Sequence, residues 1–316
     1  MQLASLAVVV VIGVQFARWV SAAQAGRIEG VRPPGVEGFL PISSLVSLRH
    51  LMDTGEWSRV HPAGLVILLL VLASGLLLKK AFCSWLCPVG MISESLASMG
   101  RALISPLQRR LAKARGAHRA PDRVALPTWL DRPLRGIKYL LLAFFAYAIF
   151  FKMTSSDVAT FLGSPYNKVA DVKMMLFFTR ISPLALKVLL VLGGASMLVP
   201  FFWCRYLCPY GGLLGALSLL SPLKVTRTAP NCIDCGLCAR ACPANLRVDR
   251  AKRVHSDECS GCLSCVAACP VPSALAIETP APWRRAVRPV AFAALVMLLF
   301  FGGIQVAKVA GYWQSD

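Results

Sequence analysis

The chain is poor in charge and poorest in acid. Of its 316 residues only 15 are Asp or Glu, and charged residues make up 16%, against roughly 25% in an ordinary soluble domain. With 56% apolar residues and a mean hydropathy of +0.62, that shortage excludes a disordered chain and argues against a soluble single-core globule. Histidine is scarce too, with four in all. None lies inside an apolar run, so a membrane b-type haem held by histidines on facing helices has no support. No basic stretch precedes the first apolar run, which argues against a secretory signal. The net charge of +19 is not that of a nucleic-acid binder, which gathers its cations on one soluble face. Here the basic residues fall between apolar segments, as a positive-inside membrane topology requires.

Five segments are candidates to cross a bilayer core of about 30 Å: residues 3–17, 62–78, 136–151, 184–203 and 289–307. The first is short. Lys138 and Lys187, near span ends, are expected to snorkel to the headgroups. Residues 79–138 contain twelve Lys or Arg against three acids, and residues 205–288 eleven against five. Residues 21–61 have four of each, and residues 152–183 four against two. The loops after the second and fourth spans are therefore expected in the cytoplasm, with the N-terminus inside and the C-terminal tail outside.

The strongest motif lies between the last two spans. Cys232, Cys235, Cys238 and Cys242 precede Pro243, and the same C-x2-C-x2-C-x3-C-P pattern returns 27 residues later as Cys259, Cys262, Cys265, Cys269 and Pro270. This is the bacterial pattern for two [4Fe–4S] clusters, in which the fourth cysteine of each run serves the other cluster. The expected ligand sets are Cys232, Cys235, Cys238 and Cys269 for one cluster, and Cys259, Cys262, Cys265 and Cys242 for the second. Gly236 and Gly261 would let backbone N–H groups approach sulfur, and the prolines would turn the chain after the ligand. Zinc sites usually pair cysteines two and two, and a disulfide framework does not suit a cytoplasmic segment.

The remaining cysteines form a second repeat. Cys83 and Cys87, then Pro88 and Gly90, follow the second span; Cys204 and Cys208, then Pro209 and Gly211, follow the fourth, 121 residues on. Each precedes a helical stretch, at 91–104 and 212–220, that is expected to end at Ser-Pro. A duplicated unit of two spans plus C-x3-C-P describes residues 1–222. Positions i and i+4 share a helix face, so Cys83, Cys87, Cys204 and Cys208 are candidates for a third redox or metal site at the membrane boundary. It would be a cluster, a soft metal such as Cu(I) or Zn(II), or a reversible dithiol. Small cysteines at a helix crossing are the bland alternative.

His50 and His61 in the outer loop are candidate quinol proton acceptors, against a plainer reading as interfacial or turn residues. His118 and His255 read as solvated loop residues. Residues 32–41 are too rich in Pro and Gly for a helix. Met174, Met175, Phe177 and Phe178 suggest an interfacial helix. Trp203, Trp283 and Trp313 fit aromatic belts.

Several spans, two C-x3-C-P elements at the inner boundary and a two-cluster segment resemble the NapH-type membrane ferredoxins, quinol dehydrogenase subunits of periplasmic nitrate reduction. The core is similar to the membrane part of NosR-type proteins and to CcoG/FixG-type proteins, which are linked to oxidase assembly and copper reduction. NosR-type proteins carry a large N-terminal flavin-binding region and CcoG/FixG-type proteins a C-terminal β-sandwich, so NapH-type proteins are nearest in length. The resemblance implies an α-helical polytopic protein of about four or five spans in the bacterial inner membrane. Residues 1–222 would be the membrane region, 223–280 a small α+β ferredoxin domain on the cytoplasmic side, and 281–316 a last span and tail. The implied function is electron relay between the quinol pool and another iron–sulfur or haem protein. The alternative is a copper-reducing or metallocentre-maturation factor. No general base or substrate pocket marks a self-contained enzyme.

Overall fold

The computed structural model describes residues 2–27, 31–114, 126–280, 282 and 284–314. His118 and Trp283 lie outside the described residues. The protein is mostly helical. Among the described residues three helices are long and apolar enough to cross a membrane: Gln2–Gln24, Trp129–Lys152 and Pro289–Val309. The first is not short after all. It continues seven residues past Ala17 because Arg18 to Gln24 contains mostly good helix formers, whether apolar or not.

The fourth expected span is a bent pair. Ala170–Thr179 and Pro183–Leu198 meet at 81°. Ser182 caps the second helix by accepting from the Ala185 N–H, and Pro183 occupies its first position, so the helix restarts there. The first helix of the pair carries Met174, Met175, Phe177 and Phe178, as the residue pattern suggests.

The second expected span is shorter than the others. Helix Pro62–Leu77 has 16 residues, about 24 Å at 1.5 Å per residue. Ala63, Leu65, Leu68 and Val71 on it are all buried. It packs against the 3-10 turn Pro34–Phe39 and the helices Pro41–Thr54 and Pro209–Leu220. Its all-round apolar sequence fits a helix largely surrounded by protein, with Leu76 and Leu77 still exposed. By length and composition the span count is therefore three, or four with the bent pair, among the described residues. The expected stop at Ser105-Pro106 also fails. Helix Pro88–Ala114 runs through it, because one proline costs a single backbone bond and bends a helix before it ends one.

The outward surfaces of the long helices are apolar. Leu140, Phe144, Phe151, Val290, Phe301, Val306 and Val309 are exposed, a belt that suits hydrocarbon and not water. The chain is a membrane protein on these grounds.

The small α+β insert carries the strands β1 (Lys224–Arg227) and β2 (Leu275–Glu278), and β3 (Ala286–Val287), beyond residue 280, joins their sheet; the order is β1-β2-β3, antiparallel, with Val225 opposite Ile277. Short helices Leu237–Ala241 and Ser264–Ala267 follow the two cysteine loops. This insert is not a tethered lobe. Leu223, Leu263 and Ile277 share one core with Leu78 and Ala81 and with Phe292 and Val296 of the last long helix.

Lys138 is the clearest departure from expectation. It does not snorkel; its side chain is 0% exposed, with Nζ 3.1 Å from Asp257 Oδ2 and 2.5 Å from Glu258 Oε1. Tyr139 donates its hydroxyl to the same Asp257 oxygen at 2.6 Å. The membrane helix thus grips the insert from its own interior face. Lys187 is exposed. The start of the first helix sits on the insert's side, where Gln2 Nε2 donates to the Ser84 carbonyl at 2.8 Å and Ser5 Oγ to the Leu86 carbonyl at 2.9 Å. At the other end Trp313 packs against Ala63 and Val66.

Candidate functional site

The two cysteine runs fold into matching loops. Asp234 and Gly236 in the first have φ of +50° and +70°; Gly261 and Leu263 in the second have +65° and +61°. These are equivalent positions, and only one of each pair is glycine. The loop geometry therefore forces a non-glycine residue into the left-handed region twice, at a cost the surroundings must hold.

The loops enclose two cavities, and each draws three cysteines from one run and one from the other. The first is lined by Cys232, Cys235, Cys238 and Cys269, with Asp249 and Pro270. The second is lined by Cys242, Cys259, Cys262 and Cys265, with Val225, Val248 and Val254. Backbone N–H groups reach the sulfurs: Gly261 to Cys259, Ala244 and Leu246 to Cys242, and Ala239 to Cys238. The first cavity lies at the surface, where Cys235 is exposed and Ile233 is 65% exposed. The second is interior. Burial pushes the Cys242 thiol up to about 11, against N–H bonds that pull it down, so deprotonation there needs a metal charge. Four sulfurs around an apolar cavity, with N–H groups aimed at them, fit an iron–sulfur cube. Among the described residues no three His, Cys, Asp or Glu side chains converge as a single metal ion requires.

The C-x3-C-P elements do not present their thiols on one regular helix, as the i, i+4 reading supposes. Cys83 lies in the short helix Ala81–Trp85, and Cys204 in the widened turn Trp203–Leu207. Cys87 and Cys208 each stand just before the proline that starts the next helix. There the helix N-terminus serves the sulfur: Gly211 N–H donates to Cys208 Sγ at 3.3 Å, and Val89 and Gly90 do the same for Cys87. Glycine is required three residues after each second cysteine. A Cβ at Gly90 would stand 2.0 Å from the Cys83 carbonyl oxygen, and one at Gly211 2.7 Å from that of Cys204.

The four thiols are brought together. Cys83 interacts electrostatically with Cys87, Cys204 and Cys208, and Cys83 and Cys204 line one cavity with Lys80, Glu258 and Ser260. Burial raises all four thiols, Cys204 to about 12.

The intervening residues of each element hold the interior ferredoxin cavity. Ser84 Oγ donates to the Ser260 carbonyl at 2.9 Å and Trp85 Nε1 to the Gly261 carbonyl at 3.1 Å. On the other side Arg205 Nη1 donates to the Ala244 carbonyl at 2.9 Å. Arg205 is itself fixed by Asp131, at 3.1 and 3.0 Å. Pro243, Ala244 and Ser260 line both this cavity and the Cys83/Cys204 cavity.

The histidines lie elsewhere. His61 is 2% exposed and its ring is occupied: Nε2 donates to the Asn167 carbonyl at 2.7 Å, and Nδ1 lies 3.3 Å from Arg32 Nη2 and 3.6 Å from Glu37 Oε1. Arg32 also pairs with Asp171. This network fastens the outer loop at the start of helix Pro62–Leu77, a helix length from the thiols. His50 is a half-buried member of helix Pro41–Thr54, and His255 is exposed. Lys79, Lys80 and Arg205 are site residues that the sequence pattern counted only as loop charge, and Lys138 one that it assigned to the headgroups.

Comparison with known proteins agrees with this geometry. A family model described as a 4Fe-4S binding domain matches twice, at residues 60–106 and 181–227, and a 4Fe-4S dicluster domain matches residues 224–270. The chain is 42% identical to the Escherichia coli (strain K12) protein YccM, named for electron transport, over 99% of this chain and 85% of that one. It is 28% identical to NirI of Paracoccus denitrificans over 73% of this chain and 31% of that one. It is 25% identical to the ferredoxin-type protein NapH of Haemophilus influenzae over 71% of this chain and 69% of that one. No solved structure matches. On its cysteine pattern, its two four-thiol cavities and these relatives, the chain belongs to the NapH/NosR-type ferredoxin family.

Proposed function

We propose that the protein is a membrane-bound electron-transfer subunit that relays electrons between the quinol pool and a redox partner. The observation that carries this reading is the common wall. Pro243, Ala244 and Ser260 separate the Cys83/Cys204 cavity at the membrane boundary from the interior ferredoxin cavity. Bound clusters would supply one-electron storage at the thiol sets. Cys242, Cys259, Cys262 and Cys265 would hold the interior one, and Cys232, Cys235, Cys238 and Cys269 the surface one. Cys83, Cys87, Cys204 and Cys208 would hold a third centre; the repeated match of one 4Fe-4S family model over both C-x3-C-P elements supports that role and the duplication of the membrane unit.

The chain's own residues set the rest. Ser84, Trp85 and Arg205 fix the spacing of the two cavities. The exposed Cys235 and Ile233 put the surface site where another iron–sulfur or haem protein can reach it. The basic loops favour the cytoplasmic side for the insert and the bacterial inner membrane for the whole. His61 is left out of the relay because its ring is occupied at the far end of helix Pro62–Leu77.

Anaerobic membranes given a reduced quinol test this. The ferredoxin clusters of the intact protein should bleach and become EPR-active. Cys83→Ser and Cys204→Ser should abolish reduction by quinol while dithionite still reduces the clusters. Undiminished quinol reduction in those variants would overturn the relay through these thiols. Copper bound stoichiometrically and lost in Cys83→Ser, with quinol reduction intact, would reassign them to metallocentre maturation.

A further inference from the structure

We infer that Lys79 and Lys80 are the fixed counter-charges of two neighbouring anionic redox centres, Lys79 for the interior ferredoxin site and Lys80 for the site held by the Cys83/Cys204 thiols. The inference deepens the relay reading and rests on it.

The two lysines are consecutive but serve different cavities. Lys79 has a φ of +61°, a left-handed turn at the end of helix Pro62–Leu77 that few side-chain-bearing residues adopt. Lys79 is 1% exposed and lies over the interior site. Its Cβ is 3.4 Å from where a Cβ on Gly261 would stand, and Cys259 is its foremost electrostatic partner. Lys80 is 4% exposed and lines the other cavity, with Cys83 and Cys204 as its foremost sulfur partners and Cys259 of the interior site as a lesser one.

Among the described residues neither lysine lies within ion-pair distance of a carboxylate, although Glu258 lines the Lys80 cavity and interacts with Lys80 electrostatically. Lys79 Nζ is 3.5 Å from the Val254 carbonyl and Lys80 Nζ 3.4 Å from that of Asp257. The neighbouring carboxylates of Asp257 and Glu258 are bound by Lys138. A buried cation whose direct contacts are long carbonyl ones is costly unless anions share the site, and for Lys80 the neighbouring Glu258 is already paired with Lys138. Four thiolates outweigh the positive charge of the iron–sulfur cube or soft metal they hold, so a loaded site is that anion. Reduction adds negative charge, which a nearby buried ammonium favours, so each lysine raises the potential of its own centre. Lys80 is in the lining of the Cys83/Cys204 cavity and Lys79 abuts the interior site at Gly261, whereas the surface site has neither lysine in its lining.

An anaerobic EPR redox titration of the full-length protein tests this, using Lys79→Met, Lys80→Met and the charge-retaining Lys→Arg variants at both positions. Lys79→Met should lower the midpoint of the interior ferredoxin centre, and Lys80→Met that of the third centre. The surface centre should stay unmoved in both, and the Arg variants should recover most of each shift. Lys→Gln replaces Lys→Met where iron content falls. Unchanged midpoints at full iron content, or equal shifts in every centre, would overturn the assignment. If the intact protein shows no third centre, the proposed role of the membrane thiols and the Lys80 half both fail. The Lys79 titration then still decides the interior counter-charge.

Discussion

Replacing Lys138 by Met should loosen the ferredoxin insert against the membrane helices. The substitution leaves Glu258 buried without its cation and Asp257 with only Tyr139. Breaking such a buried pair from one side typically costs about 3–5 kcal/mol. The expected result is strongly increased hydrogen exchange and protease cleavage across residues 223–280, with the long apolar helices still protected. Adding Glu258→Gln should recover part of the loss, because the unpaired charge is then gone. Unchanged protection in Lys138→Met would contradict the docking role.

The exchange of fourth ligands gives an equally large effect. Cys242→Ala should remove the same EPR signal as Cys262→Ala, although the two residues belong to different runs. Cys269→Ala should likewise match Cys235→Ala. Each variant should lose about four irons, one cube's worth. The cavities are the reason: Cys242 lines the Cys259 site and Cys269 the Cys232 site. If Cys242→Ala instead matched Cys235→Ala, each run would hold its own cluster and the crossed assignment would fall.

The cysteine chemistry was legible in the sequence because its spacing is local. Three thiols two residues apart can wrap only a small object, and the trailing proline marks the fourth. The pairing of Gly90 with Gly211 was visible as the shared spacing after Cys87 and Cys208, though its cause, contact with the Cys83 and Cys204 carbonyls, was not. Asp234 and Leu263 gave no warning of a left-handed backbone, since neither is glycine. Lys138 was misread because a lysine in an apolar run looks the same whether it reaches a headgroup or a carboxylate 120 residues away. Helix Pro62–Leu77 is ambiguous for a related reason. Lipid and surrounding protein select the same apolar residues, and only the packing against Pro209–Leu220 and Pro41–Thr54 separates them. The duplicated C-x3-C-P spacing pointed to shared thiols. The residues between the cysteines, Ser84, Trp85 and Arg205, carry no motif of their own, because they act on backbone carbonyls far away in the chain.

Iron and acid-labile sulfide per chain, counted on protein purified without oxygen and paired with EPR after dithionite, test the central claim most directly. The account predicts about eight irons for the two ferredoxin cavities and about twelve if the four membrane-boundary thiols hold a third cube. Colourless, EPR-silent protein carrying no sulfide, though natively assembled in the membrane, would contradict it.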